Sequence, residues 1–407
     1  MSPCDETSWG KLPPETWIAL LGRRDEPVDG VVDYCTFLAD ALVAQGVHLE
    51  QQSVDWASRG WIAALRGVSR QARDWRGRWV LVQYTALGWS RRGFPMGVVL
   101  AVRRLQRRGA RVAVVFHEPE RQLSGSRFID RIRGAFQDWI IARLYARAEV
   151  AIFADALETI SWLPRERSKA VCIPIGANIP RAAPLGAHPQ EQGASETTST
   201  GKQRLTIAMY CLSSLPNRER ELRDIARALQ AAAAEGVSLR AVFLGRGTDD
   251  TEEIRQAIPG DSAEVEILGL QDSAAISRTL AQSDVMLSVR GPLFPRRGSV
   301  IAGIACGLPI VAYSNGRSAF PLSEAGIELV PWHEPEAFAT AFVRIARDAT
   351  LRQSLRAKSL RAYEKYFSWE SIASRYAMAL SGSAFPRVVT SAPTATKALS
   401  ATPSSDS

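Results

Sequence analysis

Short apolar runs alternate with amphipathic stretches along most of the chain. Residues 17–21, 80–84, 112–116, 150–153 and 170–173 read as strands. Between the first two, Val31, Tyr34, Cys35, Leu38 and Leu42 recur at the 3.6-residue period and place a helix from about Val31. Further helices are predicted near 95–107 and 127–147. From 181 to 203 periodicity gives way to Pro, Gly, Ser, Thr and Gln, which reads as a linker or flexible insertion. A second series follows, with strands at 205–211, 240–244, 265–268, 285–289 and 310–313 and helices including 220–234 and 299–306. Strands that are apolar throughout and separated by helices are parallel and covered on both faces, so each half is expected to be a doubly wound α/β domain. After a helical region ending near Tyr363, residues 367–381 open one more amphipathic helix, and 382–407 form a Ser/Thr/Ala/Pro tail expected to be disordered. The predicted domains are thus 1–180 and 204–366. Ligands of such sheets sit at the carboxyl ends of the strands, so the cleft between the halves is the expected site.

Composition narrows the chemistry. The 407 residues carry a formal net charge of +8, with 44 Arg but only 6 Lys. Composition alone explains most of that excess, and no nucleic-acid-binding motif accompanies it. Cys4, Cys35, Cys172, Cys211 and Cys306 are odd in number and contain no CxxC, which argues against a disulfide framework or a structural zinc site. Four histidines and no HExxH leave no metal expected. Neither GxxxxGK[ST] nor GxSxG occurs, which removes P-loop and α/β-hydrolase chemistry. The absence of an apolar run of membrane length or a leader-like start makes a cytoplasmic protein the expectation, with peripheral contact at the inner face of a membrane left open by arginine stripes at Arg103, Arg104, Arg107 and Arg108 and at Arg131, Arg133, Arg143 and Arg147.

The most informative stretch runs from Ser283 to Ser314. A strand enters a loop rich in Arg, Gly and Pro, the loop enters a helix of small residues, and Gly307-Leu-Pro309 leads into another strand. Gly298 and Ser299 stand where that helix starts, so backbone N–H groups and the helix dipole face the loop, and Arg296 and Arg297 add charge. Such an assembly suits a pyrophosphate.

Here the sequence resembles retaining glycosyltransferases of the GT-B fold, family 4. The likeness rests on Ala305-Cys-Gly-Leu-Pro-Ile-Val-Ala312 after Ser283-Asp-Val, on Val242-Phe-Leu-Gly-Arg-Gly247, on Val171-Cys-Ile-Pro-Ile-Gly-Ala-Asn178 and on Phe367-Ser-Trp-Glu370, in that family's order. It implies two Rossmann-like domains facing a central cleft, with the last helix crossing back to the first domain. It also implies Gly245 and Gly247 beside the nucleotide, and Arg218 or Arg220 on the donor phosphates with Arg290 assisting. The family's two donor-site glutamates, with seven residues between them, fall here on Phe294 and Ala302, so this chain resembles a branch that replaces the acidic pair with an Arg-Arg-Gly-Ser/Thr loop.

The first half supplies the facing surface. Gly30 allows close backbone approach at a strand-to-helix turn, with Asp33 in the helix that follows. Tyr84, Trp89, Arg91 and Arg92 end a strand before a helix that Pro95 can start, and are expected on the acceptor side. Ser90-Arg-Arg-Gly93 repeats the pattern of Pro295-Arg-Arg-Gly298, and the two loops are expected to face each other. His117 and Glu118 close the strand at 112–116; His117 is expected to orient the sugar and Glu118 to act as general base toward the acceptor. The implied reaction is metal-independent transfer from a nucleotide sugar, a substrate rather than a cofactor, to a glycan, lipid-linked or small-molecule acceptor, with retention. Nucleotide-sugar epimerisation, or a non-catalytic sugar- or nucleotide-binding subunit, are the alternative readings.

Overall fold

The computed structural model describes residues 15–22, 30–120, 128–180, 204–316 and 320–382. The expected linker at 181–203 and the tail from 383 onward lie outside these residues, as does Cys4. The first domain interleaves β1 (Glu15–Gly22), α1 (Gly30–Val43), β2 (Val47–Val54), α2 (Trp56–Gln71), β3 (Trp79–Tyr84), α3 (Met96–Arg107), β4 (Arg111–Phe116), α4 (Phe128–Arg147), β5 (Val150–Phe153) and β6 (Ala170–Cys172). Its strands pair in parallel in the order β2-β1-β3-β4-β5-β6. The chain direction of growth reverses between β1 and β3, and at such a switch point the two following loops part and leave a crevice at the carboxyl edge.

The second domain contains β7 (Leu205–Tyr210), α5 (Asn217–Ala234), β8 (Leu239–Leu244), α6 (Thr251–Ala257), β9 (Glu264–Gly269), α7 (Ser273–Ala281), β10 (Val285–Ser288), α8 (Gly298–Ala305), β11 (Ile310–Ser314) and β12 (Ile327–Pro331). Its parallel order β12-β11-β10-β7-β8-β9 has its switch point between β7 and β10. Among the described residues the architecture is therefore two parallel six-stranded sheets flanked by helices, the GT-B arrangement that the alternating pattern and the family blocks together imply.

Central strands are apolar because helices cover both their faces: every residue of β3, including Gln83, is buried. Two strands carry no such signal. β2 reads Val-His-Leu-Glu-Gln-Gln-Ser-Val, with outward polar positions, and β12 is only partly buried. Both are edge strands, where one flank is solvated and alternation or brevity replaces a continuous apolar run.

Beyond β12 the chain forms α9 (Pro335–Arg347), α10 (Ala349–Ala362), a single wide turn at Tyr363–Phe367 and α11 (Trp369–Ser381). Ser368 caps α11 by accepting from the Ser371 N–H at 3.1 Å. The helix then packs on the first domain. Ile372, Ala373 and Leu380 join Trp17, Leu38 and Leu42 in one apolar cluster. The Trp79 indole N–H donates to the Leu380 carbonyl at 3.0 Å, and the Tyr376 and Tyr34 hydroxyls lie 2.9 Å apart. Trp369 donates to the Ala177 carbonyl at 2.9 Å, and a Cβ on Gly176 would meet its indole at 2.5 Å. A C-terminal segment thus completes the N-terminal core. Replacing Tyr376 with Phe leaves the buried Tyr34 hydroxyl without its partner, and urea unfolding is expected to show a loss of about 1–3 kcal/mol.

Candidate active site

The loop before α8 of the second domain meets the ends of β4 and β5 of the first through Arg296, and some of the residues singled out from the sequence lie at that contact. On the second domain, β7 runs into the loop before α5. Arg218 donates to Glu253 at 3.0 Å and to the Ser213 carbonyl at 3.3 Å, so its charge is matched by α6. Arg220 is tied to Asp224 at 2.9 Å, to Glu221 at 3.4 Å and to the Val289 carbonyl at 2.9 Å, and its guanidinium lies 4.5 Å from the Trp332 ring centroid. Arg220 therefore ties the amino end of α5 to the end of β10, across the switch point. Glu221, wholly buried, also accepts the Ser213 N–H at 2.8 Å. Beside these residues, Ser314, Asn315, Gly316, Leu329, Pro331 and Trp332 line a shallow open concavity of about 560 Å³.

Arg290 stands two residues after β10, and Arg297 occupies the cap position of α8. Arg297 donates to the Pro292 carbonyl at 3.2 Å and packs over Phe294 at 4.3 Å. The Nε–H groups of both Arg290 and Arg297 are buried without a hydrogen-bond partner, and among the described residues neither guanidinium has a carboxylate in salt-bridge range. Burial, together with the positive charge of Arg290, pushes Arg297 down to about 10, with the Glu221 carboxylate opposing the shift; it remains a cation at neutral pH. Gly298 and Ser299 form the first turn of α8, where Arg297 offers no side-chain acceptor to cap the free N–H groups and nothing stands within 4 Å of where a Gly298 Cβ would be. Among the two positions where the family carries glutamates, Phe294 is surface-exposed beneath Arg297, and Ala302 is packed in α8.

Gly245 and Gly247 follow β8 with φ of 88° and 81°. A Cβ on Gly247 would lie 2.3 Å from the Leu212 carbonyl oxygen, and one on Gly245 would strike the Tyr210 ring and Cys211. These glycines let the loops after β7 and β8 close on each other at the edge of the site.

Arg296 reaches the other domain. Its Nε contacts both carboxylate oxygens of Asp155, at 3.2 and 3.0 Å, and its Nη1 donates to the His117 carbonyl at 2.8 Å. The Pro295–Gly298 loop thus faces the ends of β4 and β5. The Ser90–Gly93 loop is held elsewhere, Gly93 accepting from Gln137 of α4 at 3.0 Å. Arg91 and Arg92 are exposed on that loop.

On the first domain, His117 Nε2 lies 2.7 Å from Gln83 Oε1, and its ring meets Tyr34 edge-on at 5.2 Å. The Gln83 amide nitrogen faces the Leu81 carbonyl at 3.4 Å, which directs its oxygen at the histidine. Nε2 therefore carries the proton and Nδ1 keeps its lone pair, an assignment that follows from the hydrogen-bond network. Burial, with Arg296 adding to it, pushes His117 down to about 4. Glu118 moves the opposite way: burial raises its carboxyl, against which Arg296 and the Ala86 N–H stabilise the anion. Asp155 is likewise raised by burial and held down by Arg296.

Tyr84 and Trp89 turn inward. Trp89 is fully buried, donates to the Gln83 carbonyl at 2.7 Å and stacks toward Trp61 at 6.3 Å, while Tyr84 packs edge-on against Phe116. Gly30 and Asp33 lie exposed in the first turn of α1, after the segment 23–29 that lies outside the described residues. Asp155, Gln83 and Glu221 were not singled out from the sequence. A polar residue inside the apolar run 80–84 is the signal that marks Gln83, and a strand-terminal acid after Val150–Phe153 marks Asp155.

Residues 207–348 match the family described as Glycosyl transferases group 1. No curated protein matches the chain in sequence. Among solved structures, a glycosyltransferase from Rickettsia africae is 14% identical over 90% of this chain and 97% of its own, with a TM-score of 0.64. Anabaena Alr3699/HepE, in complex with UDP and glucose, is 14% identical over 90% of this chain and 100% of its own, with a TM-score of 0.59. A putative UDP-N-acetylglucosamine 2-epimerase from Listeria monocytogenes is 11% identical over 90% and 96%, with a TM-score of 0.55. Residues 207–348 thus form a Glycosyl transferases group 1 domain, which makes the enzyme class glycosyltransferase, and they lie within a chain of GT-B fold.

Proposed function

We propose that the protein transfers a sugar from a nucleoside-diphosphate sugar, held against the second domain, to an acceptor bound on the first. The observation that carries this reading is the pair Arg290 and Arg297: two partly buried cations with unpartnered Nε–H groups, beside the uncapped amino end of α8. A partly buried positive charge with no carboxylate in salt-bridge range is costly, and a diphosphate that moves into this space supplies both the charge and the acceptor oxygens. Gly298 and Ser299 add backbone donors, while Arg218 and Arg220, already neutralised by carboxylates, support the loop around the phosphates. Gly245 and Gly247 shape the wall toward the nucleotide. The complex of Alr3699/HepE makes UDP the first nucleotide to test.

In this reading the bond between the anomeric carbon and the leaving phosphate oxygen breaks, and the diphosphate takes the electron pair beside Arg290 and Arg297. The acceptor hydroxyl oxygen bonds to the anomeric carbon, and its proton passes to Glu118, whose raised carboxyl is a better base than an exposed one. His117, neutral and held by Gln83, orients the sugar through Nδ1. We assign the reaction as metal-independent and retaining, as the family resemblance implies, with basic side chains and a helix dipole neutralising the leaving group. The acceptor is a glycan, a lipid-linked molecule or a small molecule, placed near the loop bearing Arg91 and Arg92. With a lipid-linked acceptor the enzyme works as a cytoplasmic protein in peripheral contact with a membrane. The two-domain likeness to the Listeria epimerase favours a second reading, epimerisation; release of epimerised sugar nucleotide without acceptor distinguishes it.

Calorimetry with UDP and UDP-, GDP- and ADP-sugars tests the phosphate site. Replacing Arg290 and Arg297 together with Gln is expected to weaken nucleotide binding by at least about tenfold; unchanged affinity overturns the assignment. Glu118→Gln is expected to lower turnover about 100-fold or more while leaving nucleotide affinity within about twofold. The lowered His117 also makes a stability prediction. Between about 4 and the unfolded value near 6.5 the unfolded chain binds the extra proton, so this contribution is present above pH 6.5 and is lost as pH falls toward 4. Urea unfolding at pH 7 and pH 5 is expected to show a loss in the wild type that is smaller in His117→Gln.

A further inference from the structure

A helix flanking a sheet ordinarily turns its apolar stripe inward and its polar residues to water. α4 has apolar residues on both sides. Its inner face buries Ile140, Ile141 and Leu144, whereas Phe128, Ile129, Ile132 and Trp139 are exposed by 73, 47, 44 and 41%. Phe128, Ile132 and Trp139 follow one another at helical spacing along one outward line, and small alanines at 135, 142 and 146 continue it. At its far end stands a cluster of like charge. Arg147 is lowered by burial and then by Arg103, Arg143 and Arg107, which places four guanidiniums within electrostatic reach of one another. The cluster is fixed across two helices: Gln106 of α3 donates to the Arg147 carbonyl at 2.8 Å, and the Arg143 guanidinium lies 5.5 Å from the Trp139 ring.

We propose that the outward face of α3 and α4 docks on an anionic lipid bilayer, with Phe128, Ile132 and Trp139 entering the headgroup–acyl boundary and the arginines meeting lipid phosphates. Exposed aromatic and aliphatic side chains flanked by arginines fit that boundary, where apolar and cationic groups are satisfied together. A second copy on this face would bring a second set of the same arginines, whereas an anionic surface neutralises them. Because α4 follows β4, its Phe128 end lies toward the carboxyl edge of the sheet, where His117 and Glu118 stand, and its arginine end lies away from it. The apolar end of the face therefore lies beside the cleft edge of the sheet, and, resting on the proposed transferase reading, it selects a lipid-linked acceptor.

Sedimentation of the full chain, without nucleotide, with vesicles of phosphatidylcholine alone or with one-third phosphatidylglycerol tests the docking separately from the chemistry. Binding to the anionic vesicles is expected to exceed that to neutral ones by at least about tenfold and to fall at high salt. Phe128→Ser/Trp139→Ser and Arg103→Glu/Arg143→Glu, all exposed substitutions, are each expected to reduce it about tenfold while circular dichroism and melting stay unchanged. No binding, or binding that both variants retain, overturns the proposal. So does a dimer in sedimentation velocity that the Phe128/Trp139 variant dissociates, since a second copy then covers the face. Failure of nucleotide binding alongside intact vesicle binding counts against the transferase site alone.

Discussion

The bifurcated contact of the Arg296 Nε–H with both Asp155 oxygens, extended through Nη1 to the His117 carbonyl, is the interaction that links the two sides of the cleft. It joins the amino end of α8 in one domain to the ends of β4 and β5 in the other. A charged hydrogen bond in a partly buried setting is stronger than a solvated one and costly to break one-sidedly, because the remaining charge stays desolvated. The same guanidinium acts on all three titratable groups around it. It adds to the burial that keeps His117 neutral, and it opposes the burial that raises Glu118 and Asp155. Arg296 thus contributes both to the contact between the domains and to the protonation states within the cleft.

That arrangement sorts the arginines of the cleft by what lies opposite each of them. Arg218 and Arg220 face carboxylates of their own domain and hold loops in shape. Arg296 faces a carboxylate of the other domain. Arg290 and Arg297 have none in salt-bridge range among the described residues, and both lie at the switch point between β7 and β10 or directly beside it. A glutamate at 294 or 302 would not restore the same site here, since Phe294 supports the Arg297 guanidinium and Ala302 is packed inside α8. The fold provides the crevice, and the local carboxylates decide which cations are left to a ligand.

Much of the fold was legible because central parallel strands are buried on both faces and must be apolar. The runs at 80–84, 112–116 and 285–289 mark strands for that reason. β2 and β12 escaped the same reading as edge strands, whose polar positions need no covering helix. At the site, the strand-to-helix loops at 117–118 and 295–299 were visible from local chemistry alone. Gln83 and Asp155 carry a weaker local signal, one a polar residue within an apolar strand and the other an acid two residues beyond one.

What the sequence by itself determined is the set of elements and the composition of each loop, since both follow from periodicity and residue type over a few neighbours. The tertiary structure decided which side chains share a counterion. Arg296 and Arg297 are adjacent in the chain and alike in chemistry, yet one pairs with Asp155 and the other has no carboxylate in range. Trp89 stands in an arginine- and glycine-rich loop that suggests a binding surface, yet its indole is fully buried against Trp61. Those differences depend on residues more than a hundred positions away or on the direction in which a loop folds, and electrostatic and packing partners at such distances leave no trace in local pattern.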